Sequence, residues 1–130
     1  MTDERCVDQW PCPDTPLGTC VRHRAPGVLV VTVRGELDQI TAPQLRHTLM
    51  QQLEQSPEHL IVDLSAVSFF SSAGLRALLT ARHRAHRDGI GTHLTGVTGH
   101  RPVALVFDLT GCAEQFSIHS NVDAAVAAIG

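Results

Sequence analysis

Hydrophobic positions along the chain change period several times, and each change marks an element. Val28-Leu29-Val30-Val31-Thr32-Val33 is a β-branched run of strand length, preceded across the turn Ala25-Pro26-Gly27 by the weaker alternation Thr19-Cys20-Val21-Arg22-His23-Arg24. The pair predicts a hairpin whose second strand is central. Leu45, Leu49 and Leu53 recur every four residues behind Thr41-Ala42-Pro43. This is an amphipathic helix opened by a threonine cap and an early proline, and ending near Pro57. His59 to Leu64 reads as a short buried strand. Leu75, Leu78 and Leu79 then share one helical face, with Arg76, Arg84 and Arg87 off it, until Gly89 stops the run. Thr92 to Val97 is the next strand.

The alternation then repeats in shorter form. Arg101-Pro102 opens a helix carrying Val103, Val106 and Phe107, and Gly111 closes it; Gln115 to Ile118 is a strand, and Val122, Val126 and Ile129 mark a last helix. Strands alternating with helices specify an α/β domain with a mixed, largely parallel sheet of four to five strands and about four helices, joined by right-handed crossovers. The first seventeen residues carry Pro11, Pro13 and Pro16 and no periodicity. They read as a flexible arm, 1–17, ahead of one domain, 18–130.

A length of 130 residues with 43% apolar content suits one core. All ten basic residues are arginine, the net charge is only −3, and aromatics are few. That balance offers neither a nucleic-acid patch nor a base-stacking platform. No apolar run approaches the ~20 residues of a membrane helix, and the acidic start MTDERCVDQW is unlike a signal peptide, so a cytoplasmic protein is expected.

The stretch Ile61 to Leu75 holds the most chemistry. A buried strand delivers two hydroxyls, Ser71 and Ser72, to a helix N-terminus, where unpaired amides and the helix dipole favour an anion. Ser71 suits the N-cap, folding its oxygen back on the helix and leaving Ser72 outward in the first turn, with small Ala73 and Gly74 keeping the approach open. Both serines acting simply as caps is the alternative that the residues alone leave open.

Three segments, Val33-Arg34-Gly35-Glu36-Leu37-Asp38 with Thr41-Ala42, Val62-Asp63-Leu64-Ser65 through Phe69 to Ser72-Ala73-Gly74-Leu75, and Val106-Phe107-Asp108-Leu109-Thr110-Gly111, together resemble the STAS domain of bacterial anti-sigma factor antagonists. The resemblance covers about Thr19 to Ile129. It implies a STAS-like fold and a phosphoacceptor at Ser72, modified by an anti-sigma factor that is itself an ATP-using serine kinase of the histidine-kinase-like fold. The unphosphorylated antagonist would bind that kinase and free the sigma factor, and a serine phosphatase would reset it. Ser71, Ala73, Gly74, Asp38, Thr41, Phe70 and Arg76 would support the site or meet the partner.

Two positions depart from the family pattern: Ser71 stands where Asp is usual, and Ala73 where a second hydroxyl is frequent. Ser71 as a competing acceptor, and a branch that binds without phosphorylation, both stay open. So do a docking subunit of a stress-signalling or lipid-transport assembly, and a small ligand-binding protein or enzyme.

Other chemistry finds little support. Cys6, Cys12, Cys20 and His23 lack the close pairs of a structural zinc site and read as thiols of a mobile arm. Cys112 reads as a buried small apolar group or a redox-sensitive thiol. His83 and His86 share an exposed helix side, and the remaining histidines look scattered. Asp63, inside an apolar strand, is expected to brace the following loop through backbone amides. No nucleophile elbow, phosphate loop, dinucleotide fingerprint or lysine is present, so no catalytic role, cofactor or metal is expected.

Overall fold

The structure, a computed structural model, describes Glu4–Arg5 and residues 17–129. Its elements run β1 (Glu4–Arg5), β2 (Leu17–Ala25), β3 (Val28–Leu37), α1 (Ala42–Leu53), β4 (His59–Phe70), α2 (Ser72–Arg87), β5 (Gly91–Thr95), α3 (Arg101–Thr110), a 3-10 turn (Cys112–Gln115), β6 (Ser117–His119) and α4 (Val122–Ile129). The strands lie side by side in sequence order. β2 is antiparallel to both β1 and β3, and β3, β4, β5 and β6 are parallel. The mixed, largely parallel sheet with four helices is thus the expected architecture, with a two-residue strand added at one edge.

β3 explains why its run is continuously apolar rather than alternating. Leu29, Val31 and Val33 face a core shared with α1, α2 and α3, while Val28 and Val30 face a second, smaller cluster with Ile61, Val122 and Ala125. Both faces of the central strand are therefore covered, and both demand apolar side chains. The four-residue spacing of Leu45, Leu49 and Leu53 puts all three fully inside.

Four expectations are corrected. Leu17, assigned to the arm, opens β2 and is sealed in the core at 1% exposure. Cys20 lies half-buried within β2 rather than in an arm, whereas Cys6 and Cys12 fall outside the described residues. α1 ends at Leu53, because Ser56 takes a left-handed turn conformation (φ 54°) ahead of Pro57. β4 continues to Phe70 instead of stopping at Leu64. The cause is a pair of register shifts against β3, between Thr32 and Arg34 and between Gly35 and Glu36. Each shift reverses which phase of β4 points inward: Leu60, Val62 and Leu64, then Val67, then Phe70. Strict alternation is lost although pairing continues.

On the face that α4 partly covers, three histidines distant in sequence form a chain. His59 Nδ1 lies 3.1 Å from His93 Nε2, and His93 Nδ1 lies 3.2 Å from His119 Nε2. Gly91 makes room for this, since a Cβ there would sit 2.6 Å from His59 Nδ1. Burial, helped by His59 and His119 on either side, lowers the pKa of His93 to about 4. The folded chain therefore holds His93 neutral where the unfolded chain, with an ordinary histidine near 6.5, takes up a proton. Between these values the unfolded state binds more protons, so stability declines as pH falls from 6.5 towards 4. Urea midpoints measured across that range are expected to move less with pH in His93→Gln than in the parent. Equal slopes would contradict the neutral, buried imidazole.

Candidate functional site

The C-terminal ends of β3 and β4, neighbours in the sheet, build the site from two loops. Leu37 pairs with Phe70 as the last register position, and the Ser71 amide extends that pairing by donating to the Leu37 carbonyl at 3.0 Å. The chain leaving β3 through Asp38 and the chain entering α2 through Ser72 are thereby tied to one rim. In open parallel sheets this end is where crossovers leave space for partners.

Ser72 is the first residue of α2 and is exposed. Ser71 occupies the N-cap with extended backbone, but its side chain does not cap: the Ser71 Oγ is shielded and has no hydrogen-bond partner. The expected fold-back of its oxygen onto the helix is thus corrected. Only its carbonyl joins the helix, accepting from the Leu75 amide at 3.1 Å. The first turn of α2 holds no acidic residue and no side-chain cap, so the positive end of its dipole lies uncompensated beside the exposed Ser72. Of the two serines, Ser72 is exposed, whereas Ser71 is half-buried with its Oγ shielded.

Asp38 organises the opposite loop. Its Oδ1 accepts from the amides of Ile40 and Thr41, both at 2.9 Å. The Thr41 amide, outweighing the slight burial and seconded by the Ile40 amide, holds the Asp38 carboxyl below the usual carboxylate range. Thr41 is buried, its hydroxyl donating to the Glu36 carbonyl at 2.7 Å and accepting from the Asp38 amide at 3.0 Å. Although Thr41 precedes α1 with Pro43 close behind, its side chain makes no capping bond to the helix. Its hydroxyl is spent inside the loop, so it shapes the rim from beneath and offers no contact of its own.

Phe70 is likewise a supporting residue. It is 4% exposed and stacks on Phe107 with ring centroids 5.8 Å apart, and Phe107 meets Phe116 edge-on. Among the described residues the aromatic that reaches the surface is Phe69, 51% exposed, together with Ile40 at 85% in the loop after β3. Sequence reasoning named Phe69 only as part of the family motif and passed over Ile40. An apolar residue in a loop between Gln39 and Thr41, and the first of two adjacent phenylalanines at a strand end, were the available signals. Gly74 is buried against Leu37 and Phe70, and a Cβ there would come within 3.1 Å of each. Its smallness seats the helix start on the core and does not open an approach.

Asp63 accepts from the Ser65 amide at 3.1 Å and from the Thr95 hydroxyl at 3.0 Å, bracing the bulged part of β4 as expected. Arg76 is exposed, one turn into α2. It lines a shallow groove between α1 and α2, whose floor is Ala42, Pro43, Ala73 and Ala77 and whose far wall carries Arg46. Cys112 is half-buried rather than sealed, with its Sγ 3.8 Å from the Thr110 carbonyl. No group of three or more metal-ligating side chains occurs among the described residues, and no helix there is long and apolar enough to cross a membrane.

The profile of the STAS domain family matches residues 21–125. The chain is 30% identical over 118 residues to the anti-sigma-F factor antagonist RsfB of Mycobacterium tuberculosis, an alignment spanning 90% of this chain and 92% of RsfB. It is similar in structure, at a TM-score of 0.72 and 34% identity, to an anti-sigma factor antagonist from Mycobacterium paratuberculosis, over 91% of this chain and 97% of that one. The fold is also that of the antagonist SpoIIAA in its unphosphorylated form, with a TM-score of 0.72 at 18% identity over 86% of this chain and 96% of the other.

Proposed function

The chain belongs to the STAS domain family, and from that premise we propose that it is an anti-sigma factor antagonist switched by phosphorylation of Ser72. The observation that supports this most directly is an exposed serine at the first position of α2, on a rim already ordered by Asp38 and Thr41. Unmodified, the rim docks on an anti-sigma factor and releases its sigma factor. The partner is a cytoplasmic serine kinase with a histidine-kinase-like ATP site. The Ser72 Oγ attacks the γ-phosphorus of ATP, the bond to the bridging oxygen breaks, ADP leaves, and the serine proton passes to a base of the kinase. A serine phosphatase returns the hydroxyl by hydrolysis.

Phosphate adds about −1.5 to −2 charge at neutral pH, at a helix end that favours it. The fold therefore tolerates the mark while the partner, built to meet a neutral hydroxyl, does not. Ser71 is uncharged and supplies no competing charge. Incubation with the cognate kinase and labelled ATP is expected to give one phosphate per chain, lost in Ser72→Ala and kept in Ser71→Ala. Stable binding without transfer would replace the cycle by plain docking, and label persisting in Ser72→Ala would move the acceptor.

A further inference from the structure

Arg76 follows Ser72 by four residues on α2. At that spacing Cβ atoms stand about 5–6 Å apart on one face, and helical side chains lean towards the N-terminus. The Arg76 guanidinium is thus carried back towards the first turn. An anion followed four positions later by a cation is also the favourable order along a helix.

The groove gives Arg76 a second role. Arg76 and Arg46 face it from opposite helices, and no carboxylate lines it. Neither arginine makes an ion pair with any described residue. Two uncompensated guanidinium groups over an alanine and proline floor repel one another and complement an acidic, partly apolar segment.

We propose that Arg76 is the residue through which the mark on Ser72 is read. In the unmodified protein Arg76, with Arg46, grips a carboxylate-bearing segment of the kinase in the α1–α2 groove. A phosphate on Ser72 draws the Arg76 guanidinium to itself through paired N–H···O bonds, and the groove surrenders half of its positive charge. Release then has two sources, repulsion at position 72 and a missing cation one turn away. The inference rests on Ser72 being the acceptor.

The test uses the full chain with phosphoserine inserted at position 72 during translation, so that it does not wait on a kinase. Followed by phosphorus NMR at low salt, the second phosphate pKa is expected to lie about 0.4 lower with Arg76 present than in Arg76→Gln. The difference fades at high salt, as an exposed pair requires. In parallel, the kinase that labels Ser72 is titrated with the unmodified proteins: Arg76→Gln and Arg46→Gln each lose roughly tenfold in affinity, and Arg76→Lys recovers part of it. Identical phosphate titrations, or unchanged kinase binding in Arg76→Gln, would overturn the proposal. If no kinase labels Ser72, the antagonist cycle falls, and the phosphate titration still decides whether Arg76 receives the charge.

Discussion

Ser72→Asp is expected to weaken binding to the proposed partner kinase by at least about 100-fold, because on that proposal a carboxylate is placed against a surface that receives a neutral hydroxyl, where it meets like charge or loses hydration without return. The same change leaves the fold intact. Position 72 is exposed and begins α2, whose first turn has no acid of its own, so a carboxylate there contributes about 0.3–1 kcal/mol through the helix dipole. Ser72→Ala removes the proposed acceptor hydroxyl without adding charge and is expected to keep the affinity of the parent. Isothermal titration against the kinase, beside thermal unfolding of each variant, separates the two effects. Parent-like binding by Ser72→Asp would remove charge as the basis of the switch.

The largest structural effect is expected at Gly96, just beyond β5. Its φ of +78° is left-handed, and an added Cβ would lie 2.2 Å from the Ser65 amide nitrogen and 2.6 Å from the Ser65 Cα. Those atoms are backbone, held in the bulged part of β4 by Asp63. They cannot swing aside as a side chain would. Gly96→Ala therefore combines left-handed strain with overpacking, about 3 kcal/mol or more. Gly99 provides the control, with φ +76° and nothing within 4 Å of its would-be Cβ. Gly99→Ala carries the left-handed conformational cost alone, about 1 kcal/mol. Urea unfolding of the two variants is expected to differ by about 2 kcal/mol; equal losses would mean that β4 and the chain after β5 do not approach so closely.

Where a segment buries one face at one period, its class and most of its bounds were legible in the sequence. Leu45, Leu49 and Leu53 identified α1, and Val28 to Val33 identified the central strand, because burial at these positions leaves little choice of residue. β4 beyond Leu64 was not legible: its inward phase reverses twice, so the alternation that signals a strand is cancelled while the hydrogen bonds persist. The exchange of roles between Phe69 and Phe70 has the same origin. The exposed place of Ser72 at the helix start was legible, although only the family resemblance set it apart from Ser71, whereas the idle hydroxyl of Ser71 depends on how Leu37 fixes its backbone across the sheet. The chain of His59, His93 and His119 was hidden for a related reason. Its members meet only through the registers of β4, β5 and β6, which no local pattern encodes.

The double phase reversal of β4 also sets what kind of genetic change this stretch withstands. Ser65, Ala66, Ser68 and Phe69 are exposed, so exchanges of one residue for another there are absorbed at the surface. A loss or gain of a single codon between Leu64 and Phe70 is another matter. A gain would carry Phe69 into the buried place of Phe70, a loss would carry Phe70 out to the exposed place of Phe69, and either would pull Phe70 off Phe107 and turn the start of α2 about its own axis, so that a different residue faced outward. The segment is permissive in spelling and strict in length.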